Sequence, residues 1–141
     1  MISARVLVPG TAEGEVLRLE SDLSFWGAVD PESGRIIDAR HPQHGASLAG
    51  RVVLMHRSLG SSSGSAVLLE LCRRKCAPAA IVLGEPDQVL TLGALVAREM
   101  GYAGLPVVLL GADRFEALRG RVRVSATDAQ PAIEVIGLSG H

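Results

Sequence analysis

The chain has 141 residues, with 14 Lys and Arg against 15 Asp and Glu, for a formal net charge of −1. So balanced a charge gives no electrostatic reason to expect nucleic acid or a membrane surface as partner, and 48% hydrophobic residues exclude a disordered tail. One domain spanning 1–141 is expected. A chain of this size buries roughly 68–70% of its unfolded surface and needs no disulfide or metal to fold.

The first residues, Met1-Ile2-Ser3-Ala4-Arg5, lack a charged region followed by a signal-length apolar run. No stretch reaches the ~20 apolar residues of a membrane span. A cytoplasmic location is therefore expected. Aromatic residues make up only 3% of the chain, so the core must be built from Val, Leu, Ile and Ala.

In chain order, residues 5–8 read as a short strand ended by Pro9-Gly10, and residues 15–19 alternate as a half-buried strand. Short extended pieces at 28–29 and 35–37 flank the turn Asp30-Pro31-Glu32-Ser33-Gly34. After the irregular His41-Pro42-Gln43-His44-Gly45, residues 50–55 form a buried strand. Residues 65–75 carry apolar side chains at Val67, Leu68, Leu71 and Cys72, the stripe of a helix lying on a sheet. A strand at 79–83 without alternation, a helix over 88–100 and a strand at 105–110 continue the pattern. A short helix near 113–118 and strands at 121–125 and 132–136 follow. The middle is β-α-β-α-β, which implies a parallel sheet with right-handed crossovers. The expected fold is α/β: a central parallel layer packed against an antiparallel strand layer, a β/β/α sandwich.

The segment Gly60-Ser61-Ser62-Ser63-Gly64-Ser65 stands between a buried strand and an amphipathic helix. In parallel α/β folds, ligands gather where strands end and helices begin. A helix start offers backbone N–H groups and the positive end of a dipole, and serine hydroxyls add donors, so a carboxylate or phosphate is a natural guest. No Lys follows the second glycine as in a phosphate-binding P-loop, and the pattern is not a G-x-S-x-G nucleophile turn. Helix capping by one or two of the serines is the rival explanation.

Other candidates are weaker. Cys72 and Cys76, one helical turn apart, read as small apolar core or boundary residues. An iron–sulfur cluster takes about four thiolates, so this chain holds none alone. His41 and His44 lie three apart without a helix to align them for a metal, and no metal site is expected. His56 follows a strand as a rim residue. Asp30 and Asp38 are turn residues or reach a site, and Trp26 reads as a core or subunit-contact residue. Arg73-Arg74-Lys75 ends a helix, where cations favour the dipole. No Ser-His-Asp order, carboxylate pair or cysteine cluster appears. An anion site without an acid/base set points to a chain that completes an active site held largely by another.

Five stretches, in this order, resemble the small subunit of aconitase X. They are Ser24-Phe25-Trp26-Gly27-Ala28-Val29-Asp30-Pro31, Gly34-Arg35-Ile36-Ile37-Asp38, His41-Pro42-Gln43-His44-Gly45, the serine loop, and Ala77-Pro78-Ala79-Ala80-Ile81. The resemblance covers roughly residues 14–110 and implies a swivelling β/β/α domain. It also implies a hydro-lyase that dehydrates a hydroxy acid, inactive without a large subunit that carries an iron–sulfur cluster as Lewis acid. Ordinary aconitases have Gly-Ser-Ser-Arg in the corresponding loop, with a serine as base and the arginine on a substrate carboxylate. By that likeness Ser61 and Ser62 are the catalytic candidates, and Gly60, Ser63, Gly64 and Ser65 bind substrate. Ser63 stands where the arginine would be, a departure that implies a different substrate. The family's substrates are cis-3-hydroxy-L-proline and mevalonate 5-phosphate. The Ser-Ser-Ser-Gly-Ser version is more similar to the hydroxyproline type. A stand-alone anion-binding module is the alternative from another class. A phosphohistidine carrier would need a histidine at a helix start, and none of the four is so placed.

Overall fold

The computed structural model describes residues 1–60, 62–102, 105–127 and 129–137. Its strands are β1 (Ile2–Ser3), β2 (Arg5–Val8), β3 (Gly10–Arg18), β4 (Val52–Met55), β5 (Ala80–Leu83), β6 (Val107–Leu109), β7 (Arg121–Ala126) and β8 (Ala132–Gly137). The helices are α1 (Phe25–Ala28), α2 (Gly64–Arg73) and α3 (Gln88–Glu99), with a 3-10 turn at Ala112–Ala117.

The strands β4, β5 and β6 show no alternation because both of their faces are covered. Val53, Met55, Ile81, Leu83 and Val107 join the core of α2 and α3, with Leu68, Leu71, Leu90 and Ala94. Val52, Leu54, Ala80, Val82 and Val108 join a second core with Val122, Val124 and Ile133 of the antiparallel strands. The parallel layer thus has helices on one face and strands on the other, the expected β/β/α sandwich. Both cores are chiefly aliphatic; Phe25 and Phe115 are the buried aromatics.

The eight strands are hydrogen-bonded in the order β1-β8-β7-β3-β4-β5-β6-β2. Strand β3 is longer than its sequence suggests, nine residues rather than five. Its first part, from Gly10 to Glu15, pairs antiparallel with β7, and its last part, from Val16 to Arg18, pairs parallel with β4. One strand therefore belongs to both layers. Pro9, which lacks an N–H, interrupts the chain for one residue only, where it passes from pairing with β6 to pairing with β7. The polar residues of this part lie on the exposed side: Glu13 pairs with Arg121 at 3.6 Å and Arg123 at 3.1 Å.

Three expectations change. Trp26, read as a core or subunit-contact residue, lies in α1, which is kinked at Trp26 and Gly27, whose φ of 88° swings the chain round. As a result Phe25 is buried and Trp26 is 61% exposed, so Trp26 is not a core residue. The pieces at 28–29 and 35–37 make only isolated bridges, Val29 to Ile36 and Arg35 to Ser47. Helix α2 ends at Arg73 rather than 75, because Lys75 takes a left-handed φ of 61°. Among the described residues, no helix is long and apolar enough to cross a membrane.

Candidate active site: a serine loop gripped at both ends

Beyond Met55 the chain leaves the parallel layer as His56-Arg57-Ser58-Leu59 and enters the serine loop. Ser58 bridges to Leu23, and the Leu59 amide donates to the Leu23 carbonyl at 3.0 Å. Gly60 follows with φ of 80°, a conformation costly for any residue with a Cβ. There is room for a methyl group, whose nearest neighbour would be Ser24 Oγ at 3.5 Å, so the backbone angle is what demands glycine here. Ser61 lies outside the described residues. Ser62 and Ser63 are exposed.

Ser63 occupies the N-cap of α2, with helical backbone angles and no side-chain bond to the first turn. The turn is closed by main-chain bonds instead. The Ser65 amide donates to the Ser62 carbonyl, and those of Ala66 and Val67 donate to the Ser63 carbonyl, at 3.1–3.2 Å. Capping by the Ser63 hydroxyl is therefore not what the loop is for. The amides of Ser65 and Ala66 are already engaged in this turn.

The last two positions of the loop join it to α3. Gly64 is buried, and a Cβ there would lie 3.0 Å from Val89 Cγ1 and 3.5 Å from Phe25 Cβ. The Ser65 hydroxyl donates to the Val89 carbonyl at 2.6 Å. On the strand side the grip comes from Asp87, which the sequence reading did not single out. Its Oδ2 accepts from the Ser58 amide at 2.5 Å and the Ser58 hydroxyl at 2.6 Å, while Oδ1 caps α3 by accepting from the Leu90 amide at 3.0 Å. Asp87 is 8% exposed. An Asp just before a helical pattern signals a cap. Its bond to a residue 29 positions away has no local signature.

Around the loop the C-terminal edge of the parallel layer carries charge. Glu85 reaches His56 at 3.4 Å and Arg57 at 3.3 Å, all three about half exposed. An apolar groove of about 300 Å³, lined by Leu7, Pro86, Leu92 and Leu95, runs along α3 beside Asp87.

The remaining candidates serve the fold. His41 is buried; its Nδ1 accepts from the Gln43 amide at 3.0 Å and its Nε2 faces the Ser21 carbonyl at 3.3 Å. His41 is thus a loop organiser, and His44 is exposed. Asp30 is held below its ordinary range by the Glu32 amide and the Ser33 hydroxyl, in the turn its sequence suggests. The Arg40 amide does the same for Asp38. Arg73 and Arg74 both bind Glu70, whose carboxyl they pull down to about 2. Burial pushes the Cys72 thiol up to about 11 and raises that of Cys76; both are free thiols. Among the described residues, no group of three or more His, Cys, Asp or Glu is arranged to hold a metal.

Residues 1–135 match the family model of the aconitase X swivel domain. The chain is 49% identical over 118 residues to the cis-3-hydroxy-L-proline dehydratase of Pseudomonas aeruginosa, a match covering 84% of this chain and 20% of that protein. It is 37% identical over 136 residues to the phosphomevalonate dehydratase small subunit of Thermococcus gammatolerans, covering 96% of this chain and 97% of that one. It superposes with a TM-score of 0.82 and 35% identity on a chain of Thermococcus kodakaraensis aconitase X (holo-form), covering 96% of this chain and 98% of that one. The chain spans about a fifth of the length of the hydroxyproline dehydratases it matches. In sequence and in fold alike, this chain belongs to the aconitase X swivel-domain family.

Proposed function

We propose that this chain supplies the serine loop of a cytoplasmic dehydratase whose active site is completed by an aconitase X large subunit, and that its substrate is cis-3-hydroxy-L-proline. The observation that carries the reading is the loop itself. Ser62 and Ser63 are presented to solvent where β4 gives way to α2, while Ser58, Gly64 and Ser65 on either side are fixed to the body of the domain. The name of the 49%-identical relative supports the substrate.

The residues present do not fit an iron–sulfur cluster on this chain. Cys72 is in the core with its thiol pushed up to about 11, and Cys76 stands alone beside it. The cluster belongs to the large subunit, where it would act as Lewis acid toward the leaving hydroxyl. The contribution of this chain is a base. A serine of the loop, Ser61 or Ser62, takes the proton from the carbon next to the substrate carboxylate. A serine hydroxyl is a weak base at neutral pH and needs a field that favours its alkoxide. The N-terminus of α2, equivalent to roughly half a positive charge, supplies one. Ser63, lacking a cation, leaves the carboxylate to be neutralised from elsewhere in the site.

A second reading, a phosphomevalonate dehydratase subunit, is supported by the full-length match to that small subunit. The test is reconstitution with a cysteine-bearing large subunit and assay of both substrates. Turnover of cis-3-hydroxy-L-proline by the pair, and by neither chain alone, is the expected result. Turnover of mevalonate 5-phosphate alone would move the assignment to the second substrate. Binding of a small carboxylate or phosphate to the lone domain by calorimetry, with no turnover in the pair, would make it a stand-alone anion-binding module.

A further inference from the structure

We infer that the first turn of α3 is the positioning device of the serine loop, with Asp87 as the positioning residue; this rests on the dehydratase reading above. Two contacts lead to it. Asp87 holds Ser58 on the strand side of the loop, and the Val89 carbonyl holds Ser65 on the helix side. Both belong to one helical turn, so the two flanks of the loop are bonded to the same rigid third element. Between them lie the left-handed Gly60 and the turn closed by the Ser65 amide on the Ser62 carbonyl.

The carboxylate is required in both of its oxygens. Oδ2 receives two donors from Ser58 while Oδ1 receives the Leu90 amide. An amide side chain has a single acceptor oxygen. Asparagine caps helices as well as aspartate does. In Asp87→Asn, therefore, the oxygen serves Leu90 and the NH2 group is turned on the Ser58 N–H, donor against donor. The cap survives and the loop is released. Ser58→Ala acts from the other side: it removes one of the two donors to Oδ2 and leaves the α3 cap untouched.

The experiment uses the reconstituted pair. Asp87→Asn is expected to lower kcat on the order of 10–100-fold, the scale of an ångström misplacement of a reacting group, with KM changed far less. Ser58→Ala is expected to lower kcat in the same sense and by less. Hydrogen exchange is read alongside: it should rise over residues 58–65 in both variants and stay unchanged over 88–99. Wild-type turnover in Asp87→Asn and Ser58→Ala would overturn the inference. So would loss of protection along α3 in Asp87→Asn with Ser58→Ala unaffected, since Asp87 would then be a cap and nothing more. Should the wild-type pair dehydrate neither substrate, the functional reading fails, while the exchange comparison still decides whether α3 holds the loop.

Discussion

At the scale of single residues, three positions of the loop are fixed in three different ways. Gly60 is set by its backbone angle of 80°, Gly64 by the nearness of Val89, and Ser65 by its bond across to α3. Gly60→Ala is expected to destabilise the chain by about 1–2 kcal/mol, the cost of a Cβ in left-handed backbone, as a shift in the denaturation midpoint at unchanged slope. The glycines and serines are legible in the sequence as a loop between a buried strand and a helix, but what fixes each of them is not. Whether a serine faces solvent or a neighbouring helix depends on where α3 lies, and nothing local encodes that. The cysteines show the opposite. Their spacing beside Leu68 and Leu69 already marks them as core or boundary residues, and the structure buries Cys72. A thiol near 11 carries almost no thiolate at pH 8, so an alkylating reagent should label Cys76 well before Cys72. Mass spectrometry of tryptic peptides reads this directly.

At the scale of elements, the pairing of α2 with α3 decides the site. Gly93 lets the helices approach closely: a Cβ there would stand 2.9 Å from the Ser65 carbonyl oxygen and 3.2 Å from Leu68 Cβ. Gly93→Ala must push the helices apart, an overpacking that typically costs about 1–3 kcal/mol. Because the displaced backbone is that of Ser65, turnover of the reconstituted pair should fall as well. An alanine that lowered neither melting temperature nor turnover would mean the helices yield without moving the loop. Periodicity reveals both helices to within two residues, since their buried stripes are regular. It says nothing of the contact between them. Gly93 reads in the sequence as a mild helix weakness, and its reason is the partner helix.

At the scale of the whole molecule, three carboxylates among the described residues are held below their ordinary values: Asp30 and Asp38 by backbone amides, Glu70 by two arginines. A group whose folded pKa lies below its unfolded one contributes stability above the unfolded value. That contribution is lost as pH falls through the folded value. For Glu70 the window runs from about 4.5 down to about 2. The melting temperature should accordingly be flat from pH 7 to about 5 and decline below 4.5. Glu70→Gln should remove a modest share of that decline, because the pair is exposed and screened. A decline already complete above pH 5 would point to other groups.

The layered architecture is legible because apolar runs without alternation require cover on both faces, as β4, β5 and β6 do. What escapes the sequence is the double membership of β3. Thr11 and Glu13 look like loop residues until the exposed face of the antiparallel layer, with Arg121 and Arg123 on it, is known.

The order of the strands has a consequence for how the chain reaches this state. The outermost strand β1 waits for residues 132–133 and the opposite edge β2 waits for residues 107–109, so the first residues pair with some of the last. Loops of that length close slowly and gain nothing until they close. During synthesis, α2, α3 and the strand β5 between them can assemble on the ribosome, while residues 2–8 remain unpaired until the far segments emerge. A nascent chain stalled near residue 100 should therefore leave this segment open to protease, and one stalled with residue 137 clear of the exit tunnel should protect it.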